Sequence, residues 1–258
     1  MGFFVRSATV AALLVPRRVS IACLKAVLAA AWRGLWRAPV STPALAVAAV
    51  PAVVGTLILA GLLQTGLAPM VLPMAGGFLL VGPAAWPVFL ALRRAGSLRG
   101  AAAALQGVPR GLWALAGVCL LLFLIWMSDA ATVYSFMIGG ETGIGAERVA
   151  WFLLLTSVMG VVLALIVFCI AAFSVPLLLD RRAGLVPAVM ASVKAVFTSP
   201  GAMLLWAGVL GVTGIASALC PLLLLPVLPW LAFAGDLLYL EIFPPDHGLP
   251  DIPTTHQD

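Results

Sequence analysis

Six long apolar stretches alternate with short polar or basic segments along this chain. They fall at about 43–63, 67–92, 111–138, 149–175, 201–219 and 222–243. A helix rises about 1.5 Å per residue, and the hydrocarbon core of a bilayer is about 30 Å thick, so each stretch is long enough to cross it. Residues 17–37 follow a different pattern. Arg18, Lys25, Arg33 and Arg37 fall within one broad arc at 3.6 residues per turn, apolar residues fill the rest, and Trp32 and Trp36 stand one turn apart. This predicts an amphipathic helix lying on the membrane, with its tryptophans at headgroup level, turning at Pro39 and Pro43. The segment 187–197, which carries Lys194, predicts a further short surface helix, and 93–110 reads as a basic connector with Arg99 and an alanine-rich core, so two or three surface helices are expected in all. The pattern describes an all-α, polytopic membrane protein with six transmembrane helices and interfacial amphipathic helices.

Several spans depart from plain apolar helix. The second contains Pro69, Pro73, Pro83 and Pro87, and the sixth Pro226 and Pro229. Membrane helices tolerate such kinks when neighbours satisfy the freed carbonyls. The third is long, and Trp126, Ser128, Asp129, Thr132 and Tyr134 make its far half polar; the polar loop 139–148 follows. Gly208, Gly211 and Gly214 thin the fifth, and the small-xxx-small pair Ala207 and Gly211 predicts close helix packing.

The double arginines Arg17–Arg18, Arg93–Arg94 and Arg181–Arg182 each precede a surface segment and a two-span hairpin. This suggests a threefold repeat over 17–92, 93–180 and 181–243, supported by RRAG at Arg93 and Arg181 and by PRGLWALAGVC at Pro109 beside PGAMLLWAGVL at Pro200. The competing reading is that topology alone places the arginines. Residues 1–16 superficially resemble a signal peptide. Their apolar part is short, however, and Arg17 and Arg18 stand where a small-residue cleavage site would be, so an N-terminal tail is expected. A membrane domain at 17–243 and an acidic, disordered tail at 244–258 complete the organisation.

Composition names the solvent. Only 9% of residues are charged and 64% are hydrophobic, against about 25% charged in soluble domains. Mean hydropathy is +1.19. Of the fourteen lysines and arginines, all but Arg148 fall on one side of the predicted topology. The positive-inside rule then places both termini in the cytoplasm, with the bacterial inner membrane as the expected location. The net charge of +5 is not gathered into a basic run interleaved with aromatics, so nucleic acid is not an expected partner.

Candidate chemistry is sparse. Cys23, Cys119, Cys169 and Cys220 form no C-x-x-C pair and read as small apolar filler. His247 and His256 both lie in the C-terminal tail, so no histidine-ligated redox metal is expected in the bundle. Nucleotide-binding, metalloprotease and hydrolase motifs are absent, and no cofactor is implied. Intramembrane acids are the default place to look for function, because a carboxylate in lipid is costly. Asp129, near the outer end of the third span, either binds a cation or proton or caps a helix break close to water. Asp236, near the inner end of the sixth, is either a transport acid or an interfacial partner of Arg93, Arg94 or Arg182. Asp180 either caps the helix after it or pairs with the arginines. Arg17, Arg18, Arg93, Arg94, Arg181 and Arg182 would form a ring able to hold anionic lipid headgroups at about 1 kcal/mol each, unless topology alone accounts for them. The expected partners are the bilayer, its anionic lipids and another membrane protein.

The stretch FSVPLLLDRRAGLVPAVMASVKAVFTSPGAMLLWAG at 173–208, with Pro176, Asp180 and Arg181, resembles the signature of a bacterial integral-membrane family known as domain of unknown function 2189. Gly82–Pro83 followed by Arg93–Arg94, and Trp126 followed by Ala130 and Tyr134, resemble weaker earlier motifs, so the resemblance would cover about 17–243. It implies a multi-span inner-membrane protein. Some members carry a cytochrome c oxidase subunit label; without intramembrane histidines this chain is not a haem-copper catalytic subunit, whereas an accessory role remains compatible. Where the family tends to place a Trp-His pair before a tyrosine, this chain has Asp236 and Leu237 before Tyr239. The family offers no catalytic residues to carry over. The function expected is a non-catalytic scaffold, accessory or envelope-maintenance factor; the alternative is a small permease using Asp129 and Asp236.

Overall fold

A computed structural model describes residues 15–37, 41–139 and 145–245. The N-terminal segment before residue 15, the turn at Pro39, the middle of the 139–148 loop and the C-terminal tail from residue 246 lie outside the described residues. Within them the chain forms α1 (Ile21–Arg37), α2 (Ser41–Gln64), α3 (Val71–Ala95), α4 (Leu98–Leu105), α5 (Arg110–Met137), α6 (Ala146–Ala171), α7 (Ser174–Leu179), α8 (Leu185–Thr198), α9 (Pro200–Leu219) and α10 (Leu224–Ile242). One turn of 3₁₀ helix precedes α3 and another precedes α10. Six segments are long and apolar enough to cross a membrane: α2, α3 with its 3₁₀ turn, α5, α6 continued by α7, α9, and α10 with its 3₁₀ turn. This is an all-α polytopic membrane protein.

The order of one short helix and two spans occurs three times, as α1–α2–α3, α4–α5–α6/α7 and α8–α9–α10. Burial follows the same rhythm. The first spans of the three hairpins are 11, 22 and 28% buried, the second spans 44, 44 and 56%. The second spans therefore supply the inner wall and the first spans face lipid. Each short helix packs on the last span of the preceding unit: α4 on α3, α8 on α6 and α7, and α1 on α10, which closes the cycle. The two RRAG stretches are offset, however. Arg93 and Arg94 belong to the last turn of α3, whereas Arg181 and Arg182 lie in the turn after α7.

Local chemistry sets the junctions. Gly96 ends α3 at φ 70°, its N–H donating to the Leu92 carbonyl, and Ser97 then caps α4 by accepting from Gly100 N–H at 3.2 Å. Arg181 takes a left-handed φ of 54° to turn the chain out of α7. The break between α6 and α7 is satisfied from α8. Ser192 Oγ donates to the Cys169 carbonyl at 2.8 Å and accepts from Phe173 N–H at 3.2 Å. Pro176, within the family-like motif, is buried in α7 and serves packing.

Two expectations need correction. α1 does more than rest on headgroups. Leu24, Val27, Ala31 and Leu35 are buried, Trp32 stacks edge-on against Trp230 at 5.7 Å, and Trp230 Nε1 donates to the Leu28 carbonyl at 3.0 Å. Its basic residues stay exposed on the opposite side. The small-residue stripe of α9 also does not mediate close helix contact at its centre. A Cβ added at Gly208 or Gly211 would meet no heavy atom within 4 Å, because both border a cavity.

Candidate functional site

Basic residues favour the C-terminal end of a helix, where the carbonyl dipoles point, and Arg93 and Arg94 occupy that end of α3. Opposite them α10 presents Asp236 and, three residues on and nearly one turn further, Tyr239. Asp180 follows directly from α7. The Asp236 side chain is 2% exposed. Its Oδ2 accepts from Arg93 Nη1, and its Oδ1 accepts from Arg94 Nη2 at 2.6 Å. The other nitrogen of Arg94 donates to Asp180 Oδ1, so one guanidinium bridges both carboxylates. Tyr239 donates its hydroxyl to Asp180 Oδ2 at 2.8 Å and accepts from Arg182 Nη1 at 3.3 Å. Arg182 also holds the carbonyls of Phe243 and Pro244, at 2.8 and 3.1 Å. Arg93 lies 5.9 Å from the centre of the Phe233 ring, within cation–π range.

This arrangement chooses among the sequence alternatives. Asp236 pairs with Arg93 and Arg94 and not with Arg182. Asp180 pairs with Arg94 from a distant segment, while Gly184 takes the N-cap position of α8. Four of the six proposed headgroup arginines are engaged by other groups of the protein, Arg181 while remaining exposed. Arg93, Arg94 and Arg182 serve the cluster, and Arg181 Nη2 donates to the Gly107 carbonyl at 2.6 Å. Arg17 and Arg18 are exposed, with no side-chain hydrogen bond to the described residues; the Arg17 N–H donates to the Ile242 carbonyl at 3.0 Å, which brings the third arginine junction to the end of α10. Every carboxylate oxygen in the cluster thus has a donor. The geometry is that of a lock between spans, with no free base. Nearby on α1, burial and the Glu241 carboxylate push the Cys23 thiol up, away from the reactive thiolate.

Asp129 lies elsewhere. It sits on the exposed side of α5 with Ser128 and Thr132, nineteen residues from the start of that helix, or about 28 Å of helix rise. Trp126, Ala130 and Tyr134 point inward instead. Trp126 is 3% exposed and donates Nε1 to the Pro73 carbonyl at 2.9 Å, and Tyr134 meets Phe152 edge-on at 5.7 Å. The second candidate feature is an elongated cavity of about 570 Å³ among α3, α5, α6, α9 and α10, lined by neither acid. The described residues contain no group of three or more histidine, cysteine or acidic side chains placed to hold a metal ion.

Comparison with known families bears on this pair of features. Residues 71–180 match the family described as predicted integral membrane protein (DUF2189). The resemblance is thereby shown, over a narrower range than 17–243. The matched range contains Gly82–Pro83, Arg93–Arg94, the Trp126 stripe and Asp180, but only the first eight residues of 173–208. Three cluster residues, Arg93, Arg94 and Asp180, thus lie in the DUF2189 stretch, whereas Asp236, Tyr239 and Arg182 lie beyond it. No curated protein and no solved structure matches the chain.

Proposed function

We propose that this chain is a non-catalytic inner-membrane component, a scaffold or accessory subunit that acts through binding. The observation that carries this reading is the fate of the two intramembrane acids. Asp236 is consumed by two guanidinium groups, Asp129 faces outward far along the bundle, and the cavity touches neither. Ion-coupled carriage needs a titratable group in a water-accessible path. Asp129→Asn is therefore expected to leave stability within about 0.5 kcal/mol of wild type. In liposomes under an imposed potential, proton flux should equal the protein-free background for both proteins. Flux that requires Asp129 would overturn the proposal. A small permease remains the second reading, favoured by the proline-containing α3 beside the cavity; its passenger would be apolar.

The orientation belongs to the same proposal. With both termini cytoplasmic, a membrane-impermeant maleimide should label Arg99→Cys on the α4 connector only in inverted vesicles, and Glu147→Cys at the start of α6 only from the outside. The converse pattern would reverse the topology.

A further inference from the structure

Helices α6 and α9 make at most marginal contact with one another, although both border the cavity. Between them the cavity opens sideways. The rim residues Val161 on α6 and Val212 on α9 are 58% and 71% exposed, and both are apolar. In a bilayer this mouth faces acyl chains. Inside, the lining on α3 runs from Leu72 to Trp86, about 21 Å along the helix, so the space is long in the direction of the membrane normal.

Two details point to an occupant. The interior has too few free polar groups to hold a column of water, which needs two to four polar partners per molecule. Trp126 Nε1 and Thr156 Oγ1 are already bonded to the carbonyls of Pro73 and Phe152. Ser157 and the indoles of Trp86 and Trp206 also line the cavity, but among the described residues Ser217 holds the one fully buried side-chain polar atom without a hydrogen-bond partner. It lines the cavity at 0% exposure. A buried hydroxyl without a partner is costly, and a ligand with one acceptor on an apolar body would satisfy it. The space itself is kept by residues lacking side chains: a Cβ at Gly82, Gly208 or Gly211 would meet nothing within 4 Å.

We infer that this cavity is a binding site for one acyl chain of a bilayer phospholipid, which enters between α6 and α9 and places its ester carbonyl to accept from Ser217 Oγ. The bilayer supplies the ligand because the mouth opens into it and its rim is apolar. This inference is independent of the scaffold proposal, since either a scaffold or a permease can hold a lipid.

The test is photo-crosslinking of the full chain in nanodiscs of phosphatidylethanolamine and phosphatidylglycerol, doped with a phosphatidylcholine that carries a diazirine in one acyl chain. Adducts are mapped by mass spectrometry. They are expected on the interior residues Leu79, Ser217 and Leu228 as well as on the outer face of α5 at Val118 and Leu121. Gly211→Phe, and separately Gly82→Leu from the opposite wall, should lower interior labelling by about tenfold with outer-face labelling unchanged. Unchanged outer labelling and helicity show that each variant has folded. Labelling confined to the outer face in the wild type would overturn the inference, as would interior labelling that survives both substitutions in folded protein.

Discussion

Asp236→Ala is expected to destabilise the protein by about 3 kcal/mol, read as a lower midpoint in SDS titration of the detergent-solubilised chain. Removing one member of a buried ion pair typically costs about 3–5 kcal/mol, because the remaining charge stays buried without compensation. Here two guanidinium groups lose their acceptor at once. The lower end of the range is chosen because Arg93 and Arg94 are 24% and 33% exposed and can recover some hydration, whereas Asp236 is almost fully enclosed. Asp236→Asn should fall between the two, since it keeps one acceptor but turns its amide donors toward an arginine. A double-mutant cycle with Arg94→Ala separates the pair from the rest of the network, because Arg94 also holds Asp180. A loss below about 1 kcal/mol for Asp236→Ala would show that the cluster behaves as a solvated surface pair.

Gly235→Ala, one residue away, should cost about 2 kcal/mol for the opposite reason, overpacking. An ideal Cβ at Gly235 would overlap Cζ2 of Trp86 and lie 3.1 Å from its Cε2. These are atoms of a rigid indole and cannot yield by a small torsion. The ring must move bodily, and the cavity it borders is the space open to it. Trp86→Phe should therefore suppress most of the Gly235→Ala defect, with a coupling of at least about 1 kcal/mol in the cycle. If the two losses simply add, Trp86 does not set the need for glycine.

The membrane architecture was legible because it rests on one-dimensional constraints. Six spans follow from uncharged runs matched to bilayer thickness, and α1 from basic residues at helical spacing. Their ends fell within a few residues of the observed ones, apart from the fourth span, whose helix continues as α7. The ion-pair cluster was half legible. An acid near the arginine side of a span needs a cation, and Arg93 and Arg94 were among the candidates; that Arg94 would bridge Asp180 and Asp236 depends on where α3, α7 and α10 meet, which no local pattern records. Tyr239, which completes the cluster, was noted in the sequence only as a landmark. Its signal was its place three residues after Asp236, on the same side of the helix. The outward direction of Asp129 was available in principle, since it stands roughly 100° round the helix from the Trp126–Ala130–Tyr134 stripe. The cavity left no local pattern to read, and the Ala207–Gly211 spacing pointed to helix contact instead. Glycines that let helices touch and glycines that keep helices from filling a space look identical in sequence, and only the neighbouring walls tell them apart.

The packing of α1 on α10 ties the beginning of biogenesis to its end. Leu28 and Trp230 are separated by 202 residues. At a synthesis rate of about 5–20 residues per second, α1 waits roughly 10–40 s for the helix that covers it. Through that interval Leu24, Val27, Ala31 and Leu35 form an adhesive stripe on a newborn chain, held at the membrane surface by its basic side. The first hairpin can insert early, but the bundle cannot be sealed until the last one arrives.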